Sequence, residues 1–428
     1  MSMVRIKHLR EALRSFSGER SGNVIILFAF AILPMVGFAG ALIDYSRAAN
    51  VRLQLNAAAD AAALAAVSQN AMLKSLADAK TDAEKIFDAD ASEYKSTVQN
   101  RTVTLENIGL GRSVKVTYTA TVPVNVMNLV GIQTVAVTGN ASASGARAPF
   151  IDFYLMLDNS PSMGVAATTA EITRMEEATK SVRQCAFACH DLSNPNNFYK
   201  KAKEIGVQMR IDVVRKATQE LTDTAKTTAT LPQQYRMATY TLGASCKGKK
   251  LTEIQSLTTS METAKASASA IDLMTIPYDG YNSDQCTDFD KAMTDINGII
   301  PNPGDGSSKT SPQKVIFFVS DGVADFANSG GCSKKLSGTR CQEPIDTQFC
   351  NSIKSRGVKI AVLYTTYLPL PSDSWYNTWI KPFQAQIPKN MEACASPGLF
   401  FEVGINQGIS EAMTALFQRV VTKAYLSN

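Results

Sequence analysis

Residues 150–164 read Phe150-Ile151-Asp152-Phe153-Tyr154-Leu155-Met156-Leu157-Asp158-Asn159-Ser160-Pro161-Ser162-Met163-Gly164. The first eight are apolar but for Asp152, and they do not alternate. That pattern predicts a strand buried on both faces, as in a parallel sheet covered by helices. The apolar run stops abruptly at a polar turn, Asp158 to Ser162. In open α/β sheets the crevice beyond the carboxyl ends of the strands is where ligands bind.

Outward from this stretch the same grammar repeats. Lys314-Val315-Ile316-Phe317-Phe318-Val319-Ser320 is a second apolar run ending in Asp321-Gly322, and Val358 to Tyr364 is a third. Between and after them lie helix-periodic segments: Met209–Leu221, the apolar positions Phe289, Ala292, Met293 and Ile296, and Ile409–Tyr425 with Ala412, Leu416, Val420 and Ala424 on one face. Strands alternating with helices over residues 150–428 predict a doubly wound α/β domain.

The residue types at the strand ends suit a hard divalent cation. Mg²⁺ takes oxygen ligands and tolerates few of them from protein, keeping waters in the rest of its shell. Ser160 and Ser162 offer two hydroxyls two residues apart, and Asp158 adds charge beside them. Asp321 repeats the strand-then-aspartate pattern. Thr287, in the loop before the Phe289 helix, offers a further hydroxyl, with Thr241 and Thr275 as weaker choices. Asp288 and Asp325 are candidates for supporting positions. Helix capping and an ordinary Asp-Gly turn explain the same residues without any metal.

The D-x-S-x-S sequence of Asp158, Ser160 and Ser162, together with Thr287 and Asp321, resembles the metal-ion-dependent adhesion site (MIDAS) of von Willebrand factor A domains. The resemblance implies that these five residues hold Mg²⁺, or another divalent cation such as Mn²⁺ or Ca²⁺, which takes a carboxylate from a partner. One departure is expected. The family's first helix follows its D-x-S-x-S loop closely, whereas here the best match begins near Met209. Residues 165–207 are therefore read as an insertion beside the metal face, dispensable for folding and shaping the choice of partner.

The other end of the chain speaks for a membrane. Val24 to Ile43 is 20 uncharged, apolar residues, about 30 Å of helix and enough to span a bilayer's hydrocarbon core. Arg5, Lys7, Arg10, Arg14 and Arg20 precede it against Glu11 and Glu19, so the N-terminus is expected in the cytoplasm. The run is long for a signal peptide and no A-x-A site closes it, so an uncleaved anchor in a bacterial inner membrane is expected. All eight cysteines lie at or beyond Cys185. That placement predicts disulfides in an oxidising compartment, the periplasm or cell surface. Cys185 with Cys189 and Cys332 with Cys341 are the plausible local pairs. A zinc site built on Cys185, Cys189 and His190, with Cys332, Cys341 or Cys350 supplying more ligands, is the rival reading.

After the span the chain has no Gly or Pro to about Asn70 and is rich in Ala and Leu, which predicts one helix running out of the membrane as a stem. Residues 71–95 continue as charged helix. Thr102–Leu105, Val114–Val122, Val124–Val130 and Val135–Ser144 then read as strands, with Gly109-Leu110-Gly111 as a hairpin turn. The span, Asp44-Tyr45 and the segment Asn56-Ala57-Ala58-Ala59-Asp60-Ala61-Ala62-Ala63-Leu64-Ala65-Ala66 resemble the N-terminal region of TadG-like proteins of the Flp (tight-adherence) pilus assembly systems. The resemblance implies an organisation in four parts. They are a basic cytoplasmic segment at 1–22, a span and pilin-like stem at 23–70, a helix-and-sheet head at 71–148, and the A-like domain at 150–428. It further implies pilus subunits or other pilus-assembly proteins as partners, or else a carboxylate on a surface ligand. A purely structural spacer with a vestigial metal site is the alternative.

Composition excludes other classes. With only His8 and His190, neither a Ser-His-Asp triad nor a multi-histidine metal centre is expected, and no enzymatic activity is predicted. The net charge of +5 forms no basic stripe interleaved with aromatics, so nucleic acid is not expected as a partner.

Overall fold

In the computed structural model, the residues described are 22–426 apart from 183, 187–190, 249, 279–280, 282–284, 328–331, 333–339, 368, 370–373 and 405–407. The basic N-terminal segment, Cys189 and His190 fall outside them. The chain divides into two compact units, Met1–Arg147 and Ala148–Asn428.

The first unit begins with α1, Gly22–Ala66, a continuous helix that carries Pro34 without breaking. Its first half is apolar and exposed: Leu27, Phe30, Met35, Phe38 and Leu42 are each more than 60% accessible. It is the one helix among the described residues long and apolar enough to cross a membrane. Its second half is one-sided. Ala48, Val51, Leu55, Ala58, Ala62 and Ala66 are buried at spacings of three and four, the stripe of a packed helix face. That stripe forms one core with Ala83 and Phe87 of α2 (Leu76–Asp90) and with Val103, Val116, Tyr118 and Ala141 of an antiparallel sheet. The sheet is β1 (Val98–Ile108), β2 (Gly111–Pro123) and β3 (Thr134–Ala146), in that order. Gly109, at φ +57°, makes the β1–β2 turn.

The helix ends at Ala66 rather than near Asn70. Buried Arg112 explains the ending. Its guanidinium donates to the carbonyls of Ala66, Ala71 and Lys74, satisfying helix-end acceptors and placing positive charge at the negative end of the dipole. Val124–Val130, expected as a strand, is instead a loop closing in a tight turn at Met127–Val130. The Asp44 carboxylate accepts the backbone N–H groups of Asn125, Val126 and Met127, which a ladder would have needed.

The second unit is the expected doubly wound domain. Seven buried residues of β4 (Ile151–Leu157) lie between parallel β5 (Tyr235–Thr241) and β7 (Gln313–Ser320). Antiparallel β6 (Thr252–Thr258) closes one edge, and β10 (Lys359–Thr365) and β11 (Phe400–Val403) extend the other. The order is β11-β10-β7-β4-β5-β6. Counted within the unit, that is 3-2-1-4-5-6, the order that leaves a crevice at the carboxyl ends of the two central strands. A small hairpin, β8 (Val323–Ala327) with β9 (Arg340–Pro344), follows β7.

Helices cover both faces of the sheet. One core joins β4 residues Phe153, Leu155 and Leu157 to Ile211, Val214 and Leu221 of α5 (Arg210–Thr228), to Met261 and Ala264 of α6 (Met261–Ser267) and to Leu416, Phe417 and Val420 of α10 (Ile409–Leu426). The opposite core joins Tyr154 and Met156 to Phe289, Ala292, Met293 and Ile296 of α7 (Phe289–Ile299), to Ile353 of α8 (Thr347–Ser355) and to Met391 of α9 (Ile387–Cys394). The central strands are pinned in register by Asp152. Its carboxylate pairs with Arg236 across one strand gap at 2.6 Å and with buried Lys314 across the other.

Residues 165–207 carry α3 (Thr169–Thr179) and α4 (Phe198–Glu204). Met175, Tyr199, Ala202 and Val207 are buried in the same core as β4. The segment is therefore part of the domain's packing, and deleting it would open the core rather than spare folding. Three disulfides join Cys246 to Cys286, Cys332 to Cys341 and Cys350 to Cys394. The Cys332–Cys341 pair is the one expected; Cys185 with Cys189 lies outside the described residues. Cys332, Cys341 and Cys350 are thus not available to a zinc ion.

Candidate metal centre

β4 and β7 run side by side in parallel, so their carboxyl ends deliver Asp158 and Asp321 to the same place. The Asp158 N–H donates to the Val319 carbonyl at 2.9 Å, continuing the ladder by one residue. Ser320 then donates its hydroxyl to Asp158 Oδ2 at 2.6 Å, and the Ser160 N–H donates to Oδ1 at 2.9 Å. The hydroxyls of Ser160 and Ser162 lie 3.0 Å apart, and the Ser162 hydroxyl acts on the Asp321 carboxyl by opposing the rise in its pKa. Asn159, the position between the motif residues, holds the loop still. Its side-chain amide donates to the carbonyls of Gly243 and Asp272, and its own carbonyl accepts from Met274.

Gly322 completes the turn at φ +73°, where a Cβ would meet Met391 and Ile387 at 2.8–2.9 Å. Only glycine takes that conformation and that approach without strain. The turn aims the Gly322 N–H at Ser320 Oγ, while the Val323 N–H reaches Asp321 Oδ1 at 3.3 Å. Thr287 is buried too, but it reaches this region through its backbone. It exchanges both main-chain hydrogen bonds with Asp325, four residues beyond Asp321, at 2.9 and 2.8 Å. The Cys246–Cys286 disulfide fixes the residue before it.

The two supporting candidates are engaged elsewhere. Asp288 caps α7 by accepting from the Lys291 N–H. Asp325 pairs with both arms of Arg340 at 2.6–2.8 Å. Of the weaker threonines, Thr241 is buried at the end of β5, and Thr275 donates to the Ala244 carbonyl.

The electrostatics of the Asp158–Asp321 pair are unfavourable without a cation. Both residues have no solvent exposure. Burial, reinforced by the neighbouring Asp321 charge, pushes the Asp158 carboxyl up to about 7. Burial raises Asp321 as well, against the opposing pull of Arg210, the Ser162 hydroxyl and the Val323 N–H. Asp321 Oδ2 is fully buried with no hydrogen-bond partner. A buried carboxylate oxygen left unpaired is costly, and a bound cation is one remedy.

These donors fit a hard divalent ion: two carboxylates and two hydroxyls, all oxygen. Asp158, Ser160, Ser162 and Asp321 would hold it; Thr287 is tied to the strand after Asp321 through its backbone pairing with Asp325. Among the described residues no three His, Cys, Asp or Glu side chains converge, so hydroxyls would have to share in the binding.

Arg210 was not legible as part of this site. It opens α5, is 5% exposed, and donates to the Thr366 carbonyl at 2.8 Å. Its guanidinium lies within the electrostatic reach of Asp321 and Asp158, while burial lowers its own pKa. Its place at the start of an amphipathic helix carries no signal beyond helix spacing. Beside it, at the carboxyl ends of β10 and β11, is a cavity of about 400 Å³ lined also by Gln208, Thr365, Thr366 and Val403.

Residues 22–69 match the Tad family, described as "Putative Flp pilus-assembly TadE/G-like". No curated protein matches the chain. Solved structures are similar to it as well, among them the following three. The vWF domain of the type V pili tip protein Mfa5 from Porphyromonas gingivalis is 10% identical, over 66% of this chain and 97% of that one, at a TM-score of 0.36. The PilB minor pilin from Streptococcus sanguinis is 10% identical, over 76% and 78%, at 0.34. Proximal thread matrix protein 1 from the mussel byssus, with a zinc-occupied MIDAS motif, is 14% identical, over 65% and 46%, at 0.32. Likenesses this distant assign no residue here; the fold rests on the strand order and the site on its own geometry.

Proposed function

We propose that this chain is a membrane-anchored component of Flp pilus assembly, held in the inner membrane by α1, whose A-like domain faces outward and binds a carboxylate on a partner through a divalent cation. The TadE/G-like segment at 22–69 supports the pilus-associated part. The observation that carries the metal part is the fully buried pair of carboxylates, Asp158 and Asp321, beside two serine hydroxyls and with one carboxylate oxygen unpaired. Mg²⁺ is the first choice, with Mn²⁺ or Ca²⁺ as substitutes. A cation held partly by neutral hydroxyls keeps enough positive charge to accept an external carboxylate. The partner is a pilus subunit, another assembly protein or a surface ligand. The role proposed is binding rather than catalysis, in keeping with the pilus-assembly family matched at residues 22–69.

Titration calorimetry of residues 148–428 with Mg²⁺ and Mn²⁺ tests the first half. Heat of binding is expected, and it should vanish in Asp158→Ala and Asp321→Ala. Capture of crosslinked partners with and without chelator tests the second half; retention of the same partners in chelator would refute a metal bridge.

Arg210 favours a second reading. A buried guanidinium beside the two aspartates offsets part of their charge on its own, as would suit a structural, minor-pilin-like or spacer protein whose metal site is vestigial. Absence of any calorimetric heat, with normal assembly by Asp321→Ala, would decide for it.

A further inference from the structure

The loop between β2 and β3 carries large apolar side chains into the open. Leu129 is 86% exposed and Ile132 42%. Met127–Val130 form a single tight turn, and Gly131 leaves it at φ +91°. No charged residue occurs between Lys115 and Arg147.

This loop is fastened to α1 at one level. The three N–H groups of Asn125, Val126 and Met127 converge on the Asp44 carboxylate at 2.7–3.0 Å. One helical turn earlier, the Val126 side chain fills the space where Gly40 lacks a Cβ; any side chain at Gly40 would overlap it. Gly40 lies three residues before Ile43, the last residue of the apolar run. At about 1.5 Å of rise per residue, Val126 is held about 5 Å inside the end of that run. Tyr45, 70% exposed one residue beyond Asp44, stands where aromatic side chains mark a membrane surface.

We propose that residues 124–133 are a lipid-inserting loop, in which Leu129 and Ile132 seat in the interfacial layer of the same bilayer that α1 crosses. The proposal rests on the reading that α1 spans the membrane. The occupant follows from where the loop is pinned. A bilayer that takes in the helix up to Ile43 brings its own headgroup and upper acyl region to the level of Val126. An uncharged loop tipped with leucine and isoleucine is the kind of surface that partitions there. The three N–H groups that this depth would otherwise leave unpaired are those that Asp44 satisfies. Asp44 therefore does more than end the span: it makes the backbone of a membrane-seated loop tolerable.

The test is fluorescence quenching of the full chain in vesicles of phosphatidylcholine and phosphatidylglycerol. Leu129→Trp is compared with Ile108→Trp, the last residue of β1 beside the turn at the opposite end of β2, which is 59% exposed in the native chain. β2 has 13 residues, so the two probes are about 40 Å apart along the strand. The two native tryptophans, Trp375 and Trp379, give the background in the unsubstituted protein. Lipids brominated high on the acyl chain should quench the added Leu129→Trp emission, which should also be blue-shifted, and leave the Ile108→Trp emission unchanged.

Emission that stays red and unquenched overturns the proposal. So does a blue-shifted emission that brominated lipid fails to quench, because that result puts the loop against protein instead. Flotation of the same vesicles separates the two readings. A chain that does not float refutes the span, and the loop with it. A chain that floats with Leu129→Trp unquenched refutes the loop alone.

Discussion

Raising the pH in chelator should destabilise the A-like domain, and divalent metal should cancel the loss. Asp158 carries the argument. Its carboxyl is held at about 7 in the folded protein, against an ordinary value of 3.8. Between those values the folded state binds a proton that the unfolded state has released, so stability falls as pH rises. A displacement of that size corresponds to about 4 kcal/mol, lost progressively from about pH 4 to about pH 7 and constant above. Asp321 is raised in the same direction and steepens the fall.

A bound cation removes the cause. Both carboxylates can then ionise in place, and the proton is displaced as the metal enters. Urea unfolding of residues 148–428 in EDTA should therefore give a midpoint clearly lower at about pH 8 than at about pH 5, and excess Mg²⁺ should narrow that gap; Asp290, whose half-buried carboxyl is also pushed up to about 7, leaves a part of it that the metal does not touch. Mg²⁺ should matter little at the acid end, where protons compete for the same oxygens. Equal stability at both pH values in EDTA would refute the electrostatic account of the pair. A midpoint at about pH 8 that Mg²⁺ leaves unmoved would refute the metal.

Asp152→Asn should cost about 3–5 kcal/mol in urea unfolding, because it strands the buried Lys314 ammonium between β4 and β7. Replacing Cys246 and Cys286 together by alanine opens a cross-link between residues 40 apart. It should cost about 4 kcal/mol by loop entropy, read in the same assay, and should weaken metal binding by freeing the loop before Thr287. Gly322→Ala forces a side chain into a left-handed turn against Met391 and Ile387. It should lower the thermal midpoint and Mg²⁺ affinity together, at a cost of about 1–2 kcal/mol or more. Arg210→Gln removes the cation that opposes Asp321's raised pKa. In EDTA above neutral pH it should destabilise the domain, yet calorimetry should find Mg²⁺ bound more tightly, since one positive charge no longer repels the ion.

The parts of this molecule legible in the chain are those written locally. Short, near-continuous apolar runs flanked by helix-periodic segments read as buried strands, so β4, β7 and β10 and their polar ends could be read directly. Asp158, Ser160, Ser162 and Asp321 followed because each stands next to the strand that delivers it. What escaped were contacts closed across long separations. Asp152 reads as a blemish in an apolar strand until the register sets it opposite Arg236 and Lys314, 84 and 162 residues away. Val124–Val130 reads as a strand by composition. Only the folded chain brings Asp44 to it, 81 to 83 residues distant, to take the N–H groups a ladder would use. Residues 165–207 look like an insertion because the helix expected directly after the Asp158–Ser162 loop finds its best match only near Met209. Met175, Tyr199 and Ala202 are nonetheless enough to plug them into the core.

Arg210 is the most consequential of these, because it changes what the metal motif implies. Two aspartates and two serines at adjoining strand ends point to a cation. A guanidinium within reach of both aspartates can stabilise the same pair without one. The two ideas differ in what happens when the guanidinium goes. If Arg210 is the built-in counter-charge of a site that never binds metal, Arg210→Gln leaves two buried carboxylates uncompensated and no ion to rescue them. If the site is made for a divalent ion, the same substitution deepens the well into which the ion falls. The sign of the change in Mg²⁺ affinity, read at a pH where both aspartates can ionise, therefore distinguishes a working metal centre from its vestige. A partner's identity need not be known to measure it.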